Sequence, residues 1–246
     1  MATSGDSAGS SAAEGVVGVL GGMGPAATID LLQRLVDLRP AKDDADHLRV
    51  LVDNNPKVPS RIAALIDNTG PSPAPVLIAM ARGLQAQGAD FLVMPCNTAH
   101  HYHAEIAATV DIPFLNLMEL VRRTLKETQP RPRRVGLLAS SALRMIRLYE
   151  PYLAEAAIEV VYPAEGEQAQ LMALIRAVKA GRVRETGTDA LTAAAASLES
   201  QGVDQLLIAC TELSALAGSL RSALPALDAA DVLARAVIER AEAGAR

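Results

Sequence analysis

The sequence predicts an α/β protein built from two homologous lobes, and three observations carry that prediction. Two segments align without a gap 114 positions apart: residues 83–98 read GLQAQGADFLVMPCNT and residues 197–212 read SLESQGVDQLLIACTE. Short apolar runs alternate along the chain with longer Ala/Leu-rich runs of helical periodicity, the pattern of parallel sheets covered by helices. Each aligned segment ends its apolar run in a cysteine, Cys96 or Cys210, followed by small polar residues.

Taken in order, residues 1–14 (MATSGDSAGSSAAE) are rich in Ser, Ala and Gly and are expected to form a disordered tail. They lack the basic start and apolar stretch of a secretory signal. Val16–Leu20, Leu48–Val52, Phe91–Met94 and Phe114–Leu115 are the expected strands of the first half. Val135–Leu138, Ile158–Val161 and Leu206–Ala209 are those of the second. Val76–Gln87, Gln168–Ala180 and Thr188–Ser200 are expected helices. The repeat keeps Leu84/Leu198, Gln87/Gln201, Gly88/Gly202, Asp90/Asp204, Leu92/Leu206 and Cys96/Cys210 identical. Gly88 and Gly202 suit the stop of a helix, and the apolar runs behind them suit buried strands. The likeness extends to IPFLN from Ile112 against LPALD from Leu224, and to VGVL from Val17 against VGLL from Val135. The period is too long for a solenoid. The expected division is a first lobe of residues 15–115 plus 226–246 and a second of 116–225.

Of 246 residues, 50% are hydrophobic, yet Trp is absent, Phe occurs twice and Tyr four times, so the core must be aliphatic. So few aromatics offer no stacking platform for single-stranded nucleic acid. A net charge of −5 without a basic block disfavours a phosphate backbone as partner; Arg131, Arg133 and Arg134 read as a solvated loop before a strand. No apolar run approaches the roughly 18–20 residues of a membrane span, and a cytoplasmic protein is expected. Two cysteines in that compartment disfavour a structural disulfide and cannot build a Cys-rich zinc site.

In parallel α/β sheets ligands bind outside the carboxyl ends of strands, where both cysteines fall. A lone cysteine is usually a small buried hydrophobe. Its recurrence at one point of two diverged copies reverses that expectation. Inverting a stereocentre needs a base on one face and an acid on the other, and two thiols with pKa near about 8.5 can serve as either. Asn97 and Thr98 follow one cysteine, Thr211 and Glu212 the other, where free backbone N–H groups at a helix start favour an anion or simply accept a cap. The loop GGMGP from Gly21, with Met23 and Gly24, lets backbone approach a ligand closely, but it is neither a dinucleotide fingerprint nor a P-loop. Arg61, in a loop stiffened by two prolines, could clamp a carboxylate or lie on the surface. Lys179 stands at an expected helix C-terminus, where a lysine also simply complements the dipole. His100, His101 and His103 cluster after Cys96, but on a helix His101 points away from the other two and no metal is expected.

With GVLGGMGPAAT (18–28), MPCNTAH (94–100), VKAG (178–181) and ACTEL (209–213), the chain resembles the aspartate/glutamate racemase family, its aspartate racemase branch most closely, over about residues 15–240. The resemblance implies two Rossmann- or flavodoxin-like lobes with pseudo-two-fold symmetry, a site in the cleft between them, a homodimer, and no cofactor or metal. It implies that Cys96 and Cys210 are the acid and base, Cys210 serving the L-enantiomer and Cys96 the D-enantiomer. Arg61 and Lys179 match positions that hold substrate carboxylates, and Asn97, Thr98 and Thr211 match substrate-contacting positions. The glutamate branch carries an Asp-Ser pair where Gly22 and Met23 stand, and a His where Glu212 stands, which favours aspartate. His101 and Ser214 depart from many relatives. A broad-specificity racemase, a glutamate-, hydantoin- or maleate-type enzyme, and a non-catalytic amino-acid-binding module are the competing expectations.

Overall fold

The computed structural model describes residues 14–182 and 189–244. Residues 1–13 of the expected tail therefore lie outside the described residues, as does residue 188 of an expected helix. Glu14, the tail's last member, is ion-paired with Arg39.

The first half runs β1 (Val17–Gly21), α1 (Pro25–Leu38), β2 (Val50–Asn54), α2 (Arg61–Leu65), α3 (Ala74–Ala86), β3 (Phe91–Val93), a 3-10 turn (Thr98–Tyr102), α4 (His103–Ala107) and α5 (Leu117–Glu127). The second runs β4 (Arg134–Leu138), α6 (Ser141–Ile146), α7 (Glu150–Ala154), β5 (Glu159–Val161), α8 (Glu165–Lys179), α9 (Asp189–Ser200), β6 (Gln205–Ile208), α10 (Thr211–Ser214), β7 (Ala226–Asp228) and α11 (Ala229–Glu242). The sheets are parallel, ordered β2-β1-β3 and β5-β4-β6-β7. Phe114 bridges Leu92 on the free side of β3, so the two sheets share one order. Phe114–Leu115, expected as a strand, is reduced to that bridge. β7 is a full strand not expected from the sequence, although LPALD is the counterpart of IPFLN.

Repeated residues do matching structural work in both halves. The carboxylate of Asp90 accepts from the backbone N of Val16 at 2.6 Å, and that of Asp204 from Arg133 and Arg134 at 2.7 and 2.8 Å, so each ties off the start of the central strand. Pro113 and Pro225 present carbonyls to the backbone N of Leu92 and Leu206 at 2.8 and 2.9 Å. Asn116 and Asp228 cap α5 and α11 through their side chains. Gly18 and Gly136 let neighbours lie close on the strand: a Cβ at Gly18 would stand 2.7 Å from Leu92 of the adjacent strand and 3.3 Å from Leu84 of α3, and one at Gly136 would stand 2.8 Å from Leu198 of α9.

The core is aliphatic, with Phe91 and Tyr149 the bulkiest buried side chains. Each half keeps its own cluster, around Leu77, Leu84 and Leu92 in one and Leu171, Leu198 and Leu206 in the other. A third cluster joins both sheets, uniting Val17, Val19 and Phe91 with Val135, Leu137 and Leu207 through α1, α5 and α11. The last segment is divided: β7 hydrogen-bonds to β6 of the second sheet, while α11 packs across α1 and α5. Residues 226–228, expected with the first lobe, thus extend the second sheet, because Leu206 takes the Pro225 carbonyl as its next partner. Among the described residues no helix is long and apolar enough to cross a membrane.

Candidate active site

Both cysteines stand just beyond the carboxyl ends of repeat-related strands, β3 and β6. After β3 the chain turns, with Cys96 N donating to the Met94 carbonyl at 2.8 Å. After β6 it turns at once into α10, and Cys210 is the N-cap of that short helix. The two residues are 7% and 6% exposed, and both thiols are free. They line one cavity of about 400 Å³ fed by both halves.

The structure brings most of the sequence-selected residues to this cavity. Met23 and Gly22 line it from the loop after β1, Arg61 from the start of α2, and Asn97 and Thr98 from the segment after Cys96. Lys179, the last residue of α8, joins Thr211 and Glu212 from the second half. Gly24 is set back as the N-cap of α1, where a Cβ would come within 3.7 Å of the Glu212 carboxylate. Gly22 has φ +90°, and a Cβ there would lie 2.3 Å from the Asn55 carbonyl carbon, so only glycine lets this loop pass.

Arg61 is held by backbone carbonyls, donating to Pro59 at 2.9 Å and to Met23 at 3.3 Å. No carboxylate of the described residues pairs with it, so its charge is available to an anion in the cavity. Lys179 is in a different state. Its Nζ lies 2.5 Å from Glu212 Oε1. Burial opposes the ammonium charge, but Glu212, with smaller help from Cys96 and Cys210, holds the Lys179 pKa above its ordinary value. Glu212 Oε2 in turn accepts from the Cys210 thiol at 3.0 Å. Burial first, then the Glu212 carboxylate, push the Cys210 pKa well above the ordinary thiol range, with Lys179 pulling the other way.

Asn97 is 3% exposed; its Oδ1 accepts from the Tyr149 hydroxyl at 2.5 Å, and its Nδ2 has no protein partner. Thr98 Oγ1 lies 3.4 Å from Ser140 Oγ. Ser140 and Tyr149 were not selected from the sequence. Ser140 lines the cavity just after β4, as Gly22 does after β1, so the VGVL/VGLL repeat contained the signal. Nothing in the sequence marks Tyr149, a distant residue whose hydroxyl arrives through the fold.

The histidines take structural places. His100 Nδ1 lies 2.9 Å from the Cys96 carbonyl and His103 Nε2 lies 3.0 Å from the Phe114 carbonyl, the two rings stacking at 5.9 Å. His101 is exposed and meets Tyr102 edge-on. The cavity thus offers two thiols, one uncommitted guanidinium and an unpaired amide donor, a set suited to binding a carboxylate and moving a proton at the adjacent carbon.

The Asp/Glu/hydantoin racemase family profile matches residues 20–237. The broad-specificity amino-acid racemase RacX of Bacillus subtilis is 29% identical over 227 residues, covering 91% of this chain and 96% of that protein. The aspartate racemase of Picrophilus torridus superposes with a TM-score of 0.79 at 31% identity, covering 92% of this chain and 94% of that one. The glutamate racemase of Francisella tularensis, solved with D-glutamate, shares the fold at a TM-score of 0.62 and 15% identity over 92% of this chain and 80% of its own. The chain belongs to the Asp/Glu/hydantoin racemase family and is an amino-acid racemase.

Proposed function

We propose that this enzyme interconverts L- and D-aspartate without a cofactor, by two-base proton transfer between Cys96 and Cys210. The observation that carries the proposal is that the two repeat-related cysteines, one from each half, line a single cavity. One thiolate removes the Cα proton; the opposite thiol returns a proton on the other face. The thiols thus supply both acid and base. The Cα–H is a weak acid, so the developing carbanion needs charge stabilisation inside a desolvated cavity. Arg61 presents an unpaired guanidinium to a carboxylate, and Asn97 Nδ2 a free donor. Lys179, paired with Glu212, lines the other wall, where a second substrate carboxylate would compete for its ammonium, with Thr98 and Thr211 completing the lining. Aspartate is favoured by likeness to the Picrophilus torridus enzyme and by the residues that differ from the glutamate branch. A homodimer in the cytoplasm, working without pyridoxal phosphate, belongs to the same proposal.

A second reading is broad specificity. It is supported by the engagement of Lys179 with Glu212, which leaves Arg61 as the cavity cation without a carboxylate partner among the described residues. One experiment tests both. Purified enzyme is incubated in D2O with L-aspartate and, in parallel, with a panel of other L-amino acids, without added cofactor. Proton NMR follows loss of the Cα–H signal and chiral chromatography follows the D-enantiomer. D-Aspartate formed with solvent deuterium at Cα is the expected result. Turnover of neutral amino acids at comparable rates favours broad specificity, and aspartate binding without exchange overturns catalysis of aspartate racemisation.

A further inference from the structure

The two halves carry the same thiol but differ two residues later: Thr98 follows Cys96, and Glu212 follows Cys210. Thr98 is neutral and its hydroxyl faces Ser140. Glu212 is 8% exposed and spans two contacts, Oε2 to Cys210 Sγ at 3.0 Å and Oε1 to Lys179 Nζ at 2.5 Å. An ionised carboxylate only accepts hydrogen bonds, so the sulfur facing it must carry the proton. We infer that Glu212 is a positioning residue that keeps the proton on Cys210, so that in the two-base cycle Cys210 starts as the acid and Cys96 as the base, and that Lys179 serves this pair by holding Glu212 in place.

This inference rests on the two-base reading and gives it a direction. From that starting form, the Cys96 thiolate takes the Cα proton: the C–H bond breaks, an S–H bond forms, and the electron pair stays on the substrate. The Cys210 S–H bond then breaks as its proton reaches the opposite face of Cα. No oxidation occurs, and the negative charge has moved from one sulfur to the other. The new Cys210 thiolate faces the Glu212 carboxylate, with Lys179 as the nearest compensating charge from α8. Arg61 on α2 and Cys96 across the cavity are the other ionisable groups on its walls. The second form of the enzyme is therefore the less favourable one. With Cys96 serving the D-enantiomer, the cycle starts from the D-accepting form. The equilibrium constant of a racemisation is one, so kcat/KM must be equal in both directions, and the asymmetry is confined to kcat and KM taken separately.

The test is alkylation by iodoacetamide across a pH series, with each cysteine-containing peptide quantified by mass spectrometry in the wild-type enzyme and in Glu212→Gln. The thiolate is the reacting form, so each pH midpoint reports its own sulfur independently of access. In the wild type, Cys210 is expected to react with a midpoint above the ordinary thiol range. In Glu212→Gln the Cys210 midpoint should fall by about a unit or more while that of Cys96 holds. Glu212→Asp keeps the charge but withdraws it by one methylene; it should give an intermediate midpoint, and it serves in place of Gln if circular dichroism shows that variant unfolded. A Cys210 midpoint at or below that of Cys96 in the wild type overturns the inference. So does a variant that speeds alkylation of both cysteines without moving the Cys210 midpoint, which is what mere loosening would produce. Failure of the two-base reading is seen separately, as absence of racemisation in an enzyme whose midpoints behave as expected.

Discussion

The Tyr149 hydroxyl donates to Asn97 Oδ1 at 2.5 Å, joining a residue of the second half to the neighbour of Cys96 in the first. Tyr149 is fully buried, and burial, with the nearby charges of Asp228 and Tyr162, raises its pKa well above the ordinary phenol value, so it remains a donor at all working pH. The contact sets which way the amide faces: with Oδ1 occupied, Nδ2 is the free end. Tyr149→Phe leaves Oδ1 buried without its donor, at a cost of about 1–3 kcal/mol. We expect a lower melting temperature and kcat/KM for racemisation reduced about tenfold or more. Calorimetry and chiral chromatography on the variant check both, and an unchanged kcat/KM would show that the amide needs no such anchor.

Each cysteine should be indispensable. Cys96→Ala and Cys210→Ala remove a small buried side chain and are expected to fold, while each loses at least about 100-fold of racemisation, the contribution of a positioned acid or base. Full activity in either variant would refute the two-base proposal.

Arg61 is braced by the carbonyls of Pro59 and Met23, so its planar fork is oriented before substrate arrives. Lysine keeps the charge but not the fork. Arg61→Lys should raise KM for aspartate about tenfold or more with a smaller change in kcat. Steady-state kinetics at fixed ionic strength reads this, and an unchanged KM would remove Arg61 from carboxylate binding.

His100 gives the fold an acid-sensitive point beside the site. Burial lowers its pKa to about 4, against the opposing hydrogen bond to the Cys96 carbonyl. An unfolded histidine titrates near about 6.5, so below that pH the unfolded chain binds a proton that the folded protein excludes. This contribution is complete above about pH 6.5 and is lost as pH falls towards about 4, amounting to roughly 3 kcal/mol at most. Urea unfolding at pH 8 and pH 5 should show the loss, and His100→Gln should flatten it. Equal slopes in variant and wild type would assign the acid sensitivity elsewhere.

Gly136 tests the repeat at the level of packing. A Cβ there meets Leu198 at 2.8 Å, and Leu198 is itself fully buried. Gly136→Ala should cost about 1–3 kcal/mol by overpacking. Gly83→Ala, in α3 with open space around it, should be neutral or stabilising, since alanine is the better helix former. A thermal melt of the pair separates them, and equal melting temperatures would contradict a close approach of Leu198 to Gly136.

The fold was largely legible because its signals are local. Period-two and period-3.6 patterning, a helix-stopping glycine and a strand-end cysteine are each written within about ten residues, and the repeat wrote them twice. The expected strands agree with the structure to within two residues, Phe114–Leu115 apart. β7 escaped because its three residues, Ala226–Asp228, of which only the polar Asp228 is buried, carry little hydrophobic pattern. Arg61, Lys179, Asn97 and Thr98 could be selected as candidates, and the fold brings them to one cavity.

What each candidate does on arrival depended on the neighbours that folding buries it against. Lys179 was a candidate to hold a substrate carboxylate, yet it meets Glu212, 33 residues on. Asn97 read as a cap, yet its oxygen is taken by Tyr149, 52 residues away. Glu212 was a candidate substrate contact, yet its carboxylate is buried against the Cys210 thiol two residues away, which makes two equivalent sulfurs unequal. Sequence patterning specifies where strands end and therefore where two thiols emerge. Desolvation and hydrogen-bond pairing, which assign charge and protons among those groups, depend on burial and on atoms brought within about 3 Å by tertiary packing, as Lys179 is to Glu212 and Tyr149 to Asn97.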